Sequence, residues 1–355
     1  MKVLFGICSW GLGHATRDIP LIRRMLEEGH NLTLVGRGRS LYLLREEFGK
    51  DCSYLEIPDY SSPYSEKKFH VSKFVGYIPV YIEEIIQEHN RIRKLVRGRG
   101  YERIVSDNRF GIYDKEIPSY FISHQLRFIV PGRVRLLERA TEGFNYSFKK
   151  SFCKFLIPDY KDNPLSGDLS HNLKFFKDGK IEYLGIISSL KKRDIEEDID
   201  YFISLSGPEP QRTVLEKKIL SQVFLLKGKV FVALGKPEER KEEVKGDIHI
   251  LSFLNRERQE EIMNRSKLVI TRPGYTTLME LAFLGKKALL IPTPGQTEQI
   301  YLASYHKDRR NFYSVSQNEL NLARDVEEAK KYRGFCCNLS EESAVDKFMK
   351  IVFGE

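Results

Sequence analysis

No run of about 18 apolar residues occurs anywhere in the 355-residue chain, so no transmembrane helix is expected. The apolar start, residues 1–7, is too short and too soon interrupted for a signal peptide. It reads as the first strand of a sheet, and the expected location is cytoplasmic. Cysteine is scarce and scattered. The five residues Cys8, Cys52, Cys153, Cys336 and Cys337 are odd in number and form no C-x-x-C or Cys/His spacing. A disulfide scaffold and a structural zinc site are both excluded, and buried reduced thiols are the simple reading. There is one tryptophan, no short-period repeat and no low-complexity tract. Acidic residues are outnumbered, 49 Asp and Glu against 58 Lys and Arg, for a net charge of +9. Such a balance suits nucleic acid, an anionic membrane or phosphorylated ligands, but no nucleic-acid-binding signature accompanies it.

What is present is enough apolar residue, 41%, for two cores, in a length that suggests two domains. The first half alternates expected strands, 2–7, 31–35, 53–57, 103–106 and 119–122, with a helix over 15–28 and a long helical stretch over 71–96. Alternation of this kind predicts a Rossmann-like domain. From Leu126 to Lys154 the chain is basic and aromatic. It reads as an amphipathic helix with a solvated basic face, or as a surface for an anionic acceptor or a membrane interface. Residues 158–178 read as a linker, and a second domain of the same kind starts near Ile181. Its expected strands are 201–205, 229–234, 248–251, 267–270 and 288–291, with helices over 211–220 and 256–266. The domains are placed at 1–180 and 181–338, followed by a C-terminal segment, 339–355, that contains an amphipathic helix.

The most telling stretch runs from Ile270 to Gln299: strand, glycine turn at Arg272-Pro273-Gly274, helix, strand, polar loop. Its helix start offers N–H groups, the hydroxyls of Thr276 and Thr277 and the positive end of the helix dipole, which suits a diphosphate. Glu280 follows Thr277 by three residues and shares nearly its face, where a carboxylate can accept two ribose hydroxyls. Gln296, Glu298 and Gln299 in the following loop suit a polyhydroxylated ligand. At the other end of the chain, Gly11-Leu12-Gly13-His14-Ala15-Thr16-Arg17 follows the first strand. The glycines allow close backbone approach, but Thr16 stands where a full dinucleotide fingerprint needs its last glycine. A neutral His14 can take a proton from a hydroxyl, and Arg17 could hold an anionic acceptor or phosphates. Asp107 follows another strand; it could orient His14, serve as the base itself, or cap the next segment. His124 and Gln125, after the next strand, are acceptor-side candidates.

These motifs resemble the donor-binding signature and N-terminal loop of GT-B glycosyltransferases. They are similar to the family of the N-acetylglucosaminyltransferase of peptidoglycan precursor synthesis (family 28-like), and most to its uncharacterised archaeal-type relatives. The resemblance implies an α/β GT-B fold, two Rossmann-like domains facing a central cleft, with the C-terminal helix returning to the first domain. It implies a transfer of sugar from a nucleotide diphosphate donor, UDP-linked by family inference, to an unidentified hydroxyl acceptor. The reaction would be inverting and metal-independent, with no cofactor beyond the nucleotide-sugar substrate. His14 or Asp107 would be the catalytic base, with Gly13, Arg17, His124 and Gln125 on the acceptor side. The donor would meet Ser206 and Gly207, the backbone of Phe253 and Leu254 beside the base, and Arg272, Gly274, Thr276, Thr277, Glu280, Glu298 and Gln299. The loop at Ser206 departs from the fuller glycine-rich pattern, with Pro208, Glu209 and Pro210 in it. Asp198-Ile199-Asp200 matches a metal-binding Asp-x-Asp by letter, but precedes its strand. The expected partners are the UDP-sugar donor and an acceptor that is lipid-linked or an anionic glycan. Nucleic acid is not among them, and a peripheral contact at the inner face of a membrane is. Gly11-Leu12-Gly13-His14 and Arg17 also resemble a UDP-sugar hydrolase of the same fold, and a non-catalytic nucleotide-sugar binding protein is the third possibility.

Overall fold

The computed structural model describes residues 1–61, 71–130, 132–236, 239–337 and 342–354. The chain divides into two compact units. One holds residues 1–61, 71–189 and 342–354, the other residues 190–337.

The first unit is a seven-stranded, wholly parallel sheet. In chain order its elements are β1 (Lys2–Ile7), α1 (Leu12–Glu27), β2 (Asn31–Gly36), α2 (Gly38–Phe48), β3 (Cys52–Glu56), α3 (Val71–Val96), β4 (Arg103–Asp107), β5 (Ser119–Ile122), α4 (Arg135–Ser147), β6 (Lys154–Ile157) and β7 (Ile181–Tyr183). The strand order is β3-β2-β1-β4-β5-β6-β7. Strands covered on both faces read as near-continuous apolar runs, and β1 is buried from Val3 to Ile7. Pro20 does not interrupt α1, which runs through it.

Two expectations need correction. The stretch Leu126–Lys154 is not one helix with a solvated basic face. Only Arg135–Ser147 is α-helical, and Lys154 opens β6. Its charges are largely paired: Arg127 is buried on Glu142, and Arg133 meets Glu138 and Asp168. Phe144 and Phe148 pack against the core beside Phe110 and Phe121. Nor does the second unit start at 181. Ile181–Tyr183 pairs with β6, so the first sheet claims it and the boundary falls after residue 189.

The second unit repeats the plan: β8 (Ile199–Ser204), α5 (Gln211–Leu220), β9 (Val230–Ala233), β10 (Glu242–Lys245), β11 (Ile248–Leu251), α6 (Arg256–Arg265), β12 (Ser266–Thr271), α7 (Tyr275–Leu284), β13 (Lys287–Leu290), α8 (Thr297–Asp308), β14 (Tyr313–Ser314) and α9 (Leu322–Lys330). The order is β10-β11-β9-β8-β12-β13-β14, parallel except for the β10–β11 hairpin. Gly285 closes α7 at φ 71°, a left-handed position that costs glycine nothing. In both sheets the first strand lies centrally and the chain winds outward in both directions. Each sheet therefore has a switch point, between β1 and β4 and between β8 and β12, where doubly wound sheets bind ligands at the carboxyl ends of the strands.

The last helix, α10 (Ala344–Phe353), belongs to the first unit. Residues 339–341 of the expected C-terminal segment lie outside the described residues. Ser343 caps α10 by accepting from the Asp346 N–H, and Phe348, Met349, Val352 and Phe353 enter the core formed with α1 and α2. Phe353 stacks on His30 at 4.2 Å, and Arg103 Nε donates to the Val352 carbonyl at 3.0 Å. Phe348 is fully buried, so Phe348→Ala should destabilise this unit by roughly 3–5 kcal/mol, the usual range for emptying a phenylalanine site. Urea unfolding followed by circular dichroism measures this; a loss below about 1 kcal/mol would show that α10 is dispensable to the core.

Candidate functional site

The first cluster forms at the β1/β4 switch point. Ile7 at the end of β1 is in register with Asp107 at the end of β4, and the Cys8 N–H donates to the Asp107 carbonyl at 3.0 Å. His14, Arg17 and Asp18 share one face of α1 by i, i+3, i+4 spacing. Asp107 is fully buried. Arg17 donates to both of its oxygens, from Nε to Oδ2 at 2.9 Å and from Nη2 to Oδ1. His14 Nδ1 lies 3.0 Å from Oδ2. Burial alone would raise the Asp107 carboxyl. The Arg17 charge and the bonds from His14 and Arg17 instead hold it well below the usual carboxylate range. It is thus an anion with both oxygens engaged. His14 Nδ1 also lies 3.0 Å from Arg17 Nη2, so it faces both the anion, which favours a hydrogen on Nδ1, and a guanidinium donor, which favours a lone pair there; Nε2 is turned away from this pair.

His124 joins through Arg17, whose Nη1 lies 3.0 Å from His124 Nδ1; the His14 and His124 ring centres are 6.3 Å apart. Gly13 occupies the first turn of α1. Gln125 follows His124, its N–H donating to Ser123 Oγ at 3.1 Å, and its buried Nε2 meets no partner. Four of the expected residues, His14, Arg17, Asp107 and His124, therefore form one hydrogen-bonded group.

A second buried network fixes the loops around it. Arg109 donates from Nε to Glu88 Oε1 at 2.7 Å and from Nη2 to the Pro58 carbonyl at 2.6 Å. Tyr60 donates to Glu88, and the Gly111 N–H donates to the Tyr60 hydroxyl at 2.9 Å. Trp10 Nε1 donates to the Tyr60 carbonyl at 2.6 Å, and Asp59 accepts from the Ser9 N–H. The loops after β1, β3 and β4 are thereby tied together.

The second cluster lies at the β8/β12 switch point. Thr271 at the end of β12 is in register with Ser204 at the end of β8. Arg272, next in the chain, is 1% exposed and meets no acidic side chain among the described residues: its Nη1 donates to the Ile291 and Pro292 carbonyls, and its Nη2 to the Gln211 carbonyl and Gln317 Oε1. Burial lowers it to about 10, still fully protonated at neutral pH. Its Nε and the buried Thr293 Oγ1 have no hydrogen-bond partner among the described residues. Both converge on Gly207. A Cβ there would lie 3.5 Å from Thr293 Oγ1 and 3.9 Å from Arg272 Nε, and φ of 113° disfavours any side chain. Gly274 is the N-cap of α7 and no side chain caps that end; Thr276 and Thr277 stand in its first turn. Ser206 is exposed beside Gly207. A buried cation, polar atoms without a partner among the described residues and a helix start without a side-chain cap are chemistry that suits an anion.

Glu280 lies one turn along α7 from Thr277. It is 4% exposed, and burial raises its carboxyl to about 7, with Arg256 pulling the other way. Phe253 and Leu254 are half-buried after β11, and the Arg240 guanidinium sits 4.3 Å from the Phe253 ring centre. Glu298 is in the first turn of α8, and Gln299 Oε1 accepts from the Thr293 N–H at 2.9 Å. Arg212 is engaged by Glu209 and Glu216. Asp198 and Asp200 stand at the amino end of β8, away from this edge, paired with Arg265, Lys229 and Lys267.

Sequence reasoning missed Asp18, Thr293 and the Arg109–Glu88–Tyr60 network. Asp18 was readable from its helical spacing to His14. Thr293 sits between two prolines in a loop with no period, and the network joins residues 50 positions apart, so neither leaves a local signal.

Residues 211–350 match the glycosyltransferase family 28 C-terminal domain. An uncharacterized glycosyltransferase of Methanosarcina mazei is 27% identical over 362 residues, covering 94% of this chain and 92% of its own length. Among solved structures, the kitacinnamycin glycotransferase superposes with a TM-score of 0.64 at 12% identity, over 93% of this chain and 90% of that one. Arabidopsis thaliana UGT89C1, solved with UDP-L-rhamnose, gives 0.61 at 15% identity, over 99% and 94%. Those two likenesses concern the fold. Together with the domain match and the full-length relative, they identify the chain as a glycosyltransferase of GT-B fold with a family 28 C-terminal domain.

Proposed function

We propose that this enzyme moves a sugar from UDP to a hydroxyl acceptor, with inversion and without a divalent metal. The observation that carries the proposal is the β8/β12 switch point, where a buried cation and a buried hydroxyl, with no acidic and no hydrogen-bond partner respectively among the described residues, stand beside a helix end without a side-chain cap. A diphosphate supplies the missing charge and acceptors: Arg272, Thr293 Oγ1 and the first turn of α7 stabilise it as it leaves, the task a metal performs elsewhere. Glu280, one turn on, accepts the ribose hydroxyls. The backbone at Phe253 and Leu254 meets the base, and Glu298 with the Gln299 amide meets the sugar. The uridine assignment is supported by a fold neighbour solved with UDP-L-rhamnose. On the first unit, Nε2 of His14 takes the proton of the acceptor hydroxyl as its oxygen bonds to C1 of the sugar and the C1–O bond to diphosphate breaks. Asp107, buried behind the imidazole, orients the ring and stabilises its charged form.

Glu280→Ala should weaken UDP binding by about 1–3 kcal/mol, the range for losing a charged hydrogen-bond partner. Calorimetry decides it, and unchanged affinity in a folded variant rules the ribose role out. Glu280 also carries a pH signature. Between 4.5 and about 7 the folded chain keeps a proton that the unfolded chain has released, so stability falls as pH rises through that window. The loss amounts to roughly 3 kcal/mol in the free protein, and Glu280→Gln should remove it. Urea midpoints at about pH 5 and about pH 7.5 measure this; equal slopes in the two proteins would contradict the buried-acid assignment.

A further inference from the structure

Asp18 lies directly beneath the His14 group and has no part in it so far. It is fully buried, on the face of α1 that carries His14 and Arg17. Among the described residues no donor reaches either of its oxygens. Its charged neighbours are Asp107 and Arg17, and Arg17 points its Nε and Nη2 at Asp107 and its Nη1 at His124. The local charges already balance, Arg17 against Asp107. A second carboxylate here would be an uncompensated buried anion beside a like charge, which costs several kcal/mol. A proton on Asp18 removes that cost and turns an atom without a partner into a donor. The acceptor within reach is the Asp107 carboxylate, and burial with Asp107 alongside pushes Asp18 in the same direction.

We infer that Asp18 is a positioning residue: a neutral carboxylic acid that donates a hydrogen bond to Asp107 and so sets the charge and orientation of the carboxylate that faces His14. The groups facing it are Asp107 from β4 and Arg17 and His14 from α1, with His124 linked through Arg17. The hydrogen bond draws electron density from Asp107 and restrains how strongly that anion favours a protonated imidazole. The catalytic consequence rests on His14 being the base, but the protonation and the hydrogen bond do not.

The test uses the full chain and two variants, Asp18→Asn, which keeps a neutral donor, and Asp18→Leu, which removes it. Infrared difference spectra at neutral pH, wild type minus Asp18→Asn, should show the C=O stretch of one neutral carboxylic acid. Isotope-edited NMR of His14, assigned with His14→Gln, should give the same titration midpoint in wild type and Asp18→Asn. In Asp18→Leu the midpoint should rise by roughly half a unit or more, because Asp107 regains charge. Absence of the infrared band, or a midpoint that falls in Asp18→Asn as it would on removing an anion, overturns the inference. So does an Asp18→Leu midpoint equal to wild type. Should Asp18→Leu fail to fold, the infrared band and the Asp18→Asn midpoint still decide. Neither measurement involves turnover, so a failure of the proposed reaction would leave these results standing and be told apart from them.

Discussion

The fully buried carboxylate of Asp107 constrains everything around it in the first unit. An ionised carboxyl cannot sit in a protein interior without opposite charge and hydrogen bonds, and here both come from one turn of α1. The pairing holds α1 against the end of β4, turns His14 Nδ1 toward Asp107 and sets the charge of Arg17 against that of the carboxylate. Removing one member of such a pair leaves the other buried and uncompensated, typically at a cost of 3–5 kcal/mol. The orientation of His14 is therefore a consequence of charge balance, and the Arg109–Glu88–Tyr60 network holds the surrounding loops in the frame that this balance requires.

The second unit solves the opposite problem. Among the described residues, Arg272 is buried with carbonyls and an amide oxygen around it and no acidic side chain, and Thr293 Oγ1 is buried with no hydrogen-bond partner. In the first unit the Asp107 charge is balanced by Arg17; in the second the Arg272 charge meets only carbonyl and amide oxygens among the described residues. Both arrangements stand at the switch point of a doubly wound sheet, where strand ends diverge and backbone N–H groups are not consumed by the neighbouring strand.

Much of the fold was legible because parallel strands buried on both faces leave unmistakable apolar runs. Lys2–Ile7, Ser119–Ile122, Ile248–Leu251 and the helix Gln211–Leu220 have the expected limits. What failed was local pattern overridden by tertiary pairing. The arginines after Leu126 read as solvated until Arg127 and Arg133 are seen to pair with Glu142 and Glu138, and Ile181–Tyr183 reads as a new start until β6 claims it. The exposed hairpin strand Glu242–Lys245, four charged or exposed positions, carries no apolar signal at all. Of the candidate site, glycines, histidine and acidic residues at strand ends were visible from motif spacing. The difference in burial between His14 and Asp107 was not, because it arises from tertiary packing: Asp107 is closed off with both oxygens engaged, while His14 keeps 18% of its side chain accessible.

The central claim is that the two switch points divide the work, donor binding in the second unit and proton removal at His14 in the first. Acceptor-dependent consumption of a UDP-sugar by His14→Ala, with cell extract as the acceptor source, tests it most directly. The account predicts a fall of roughly 10²–10⁴-fold, the usual contribution of a general base, with UDP affinity unchanged. Consumption at the wild-type rate, or consumption in wild type that does not depend on an acceptor, would contradict it.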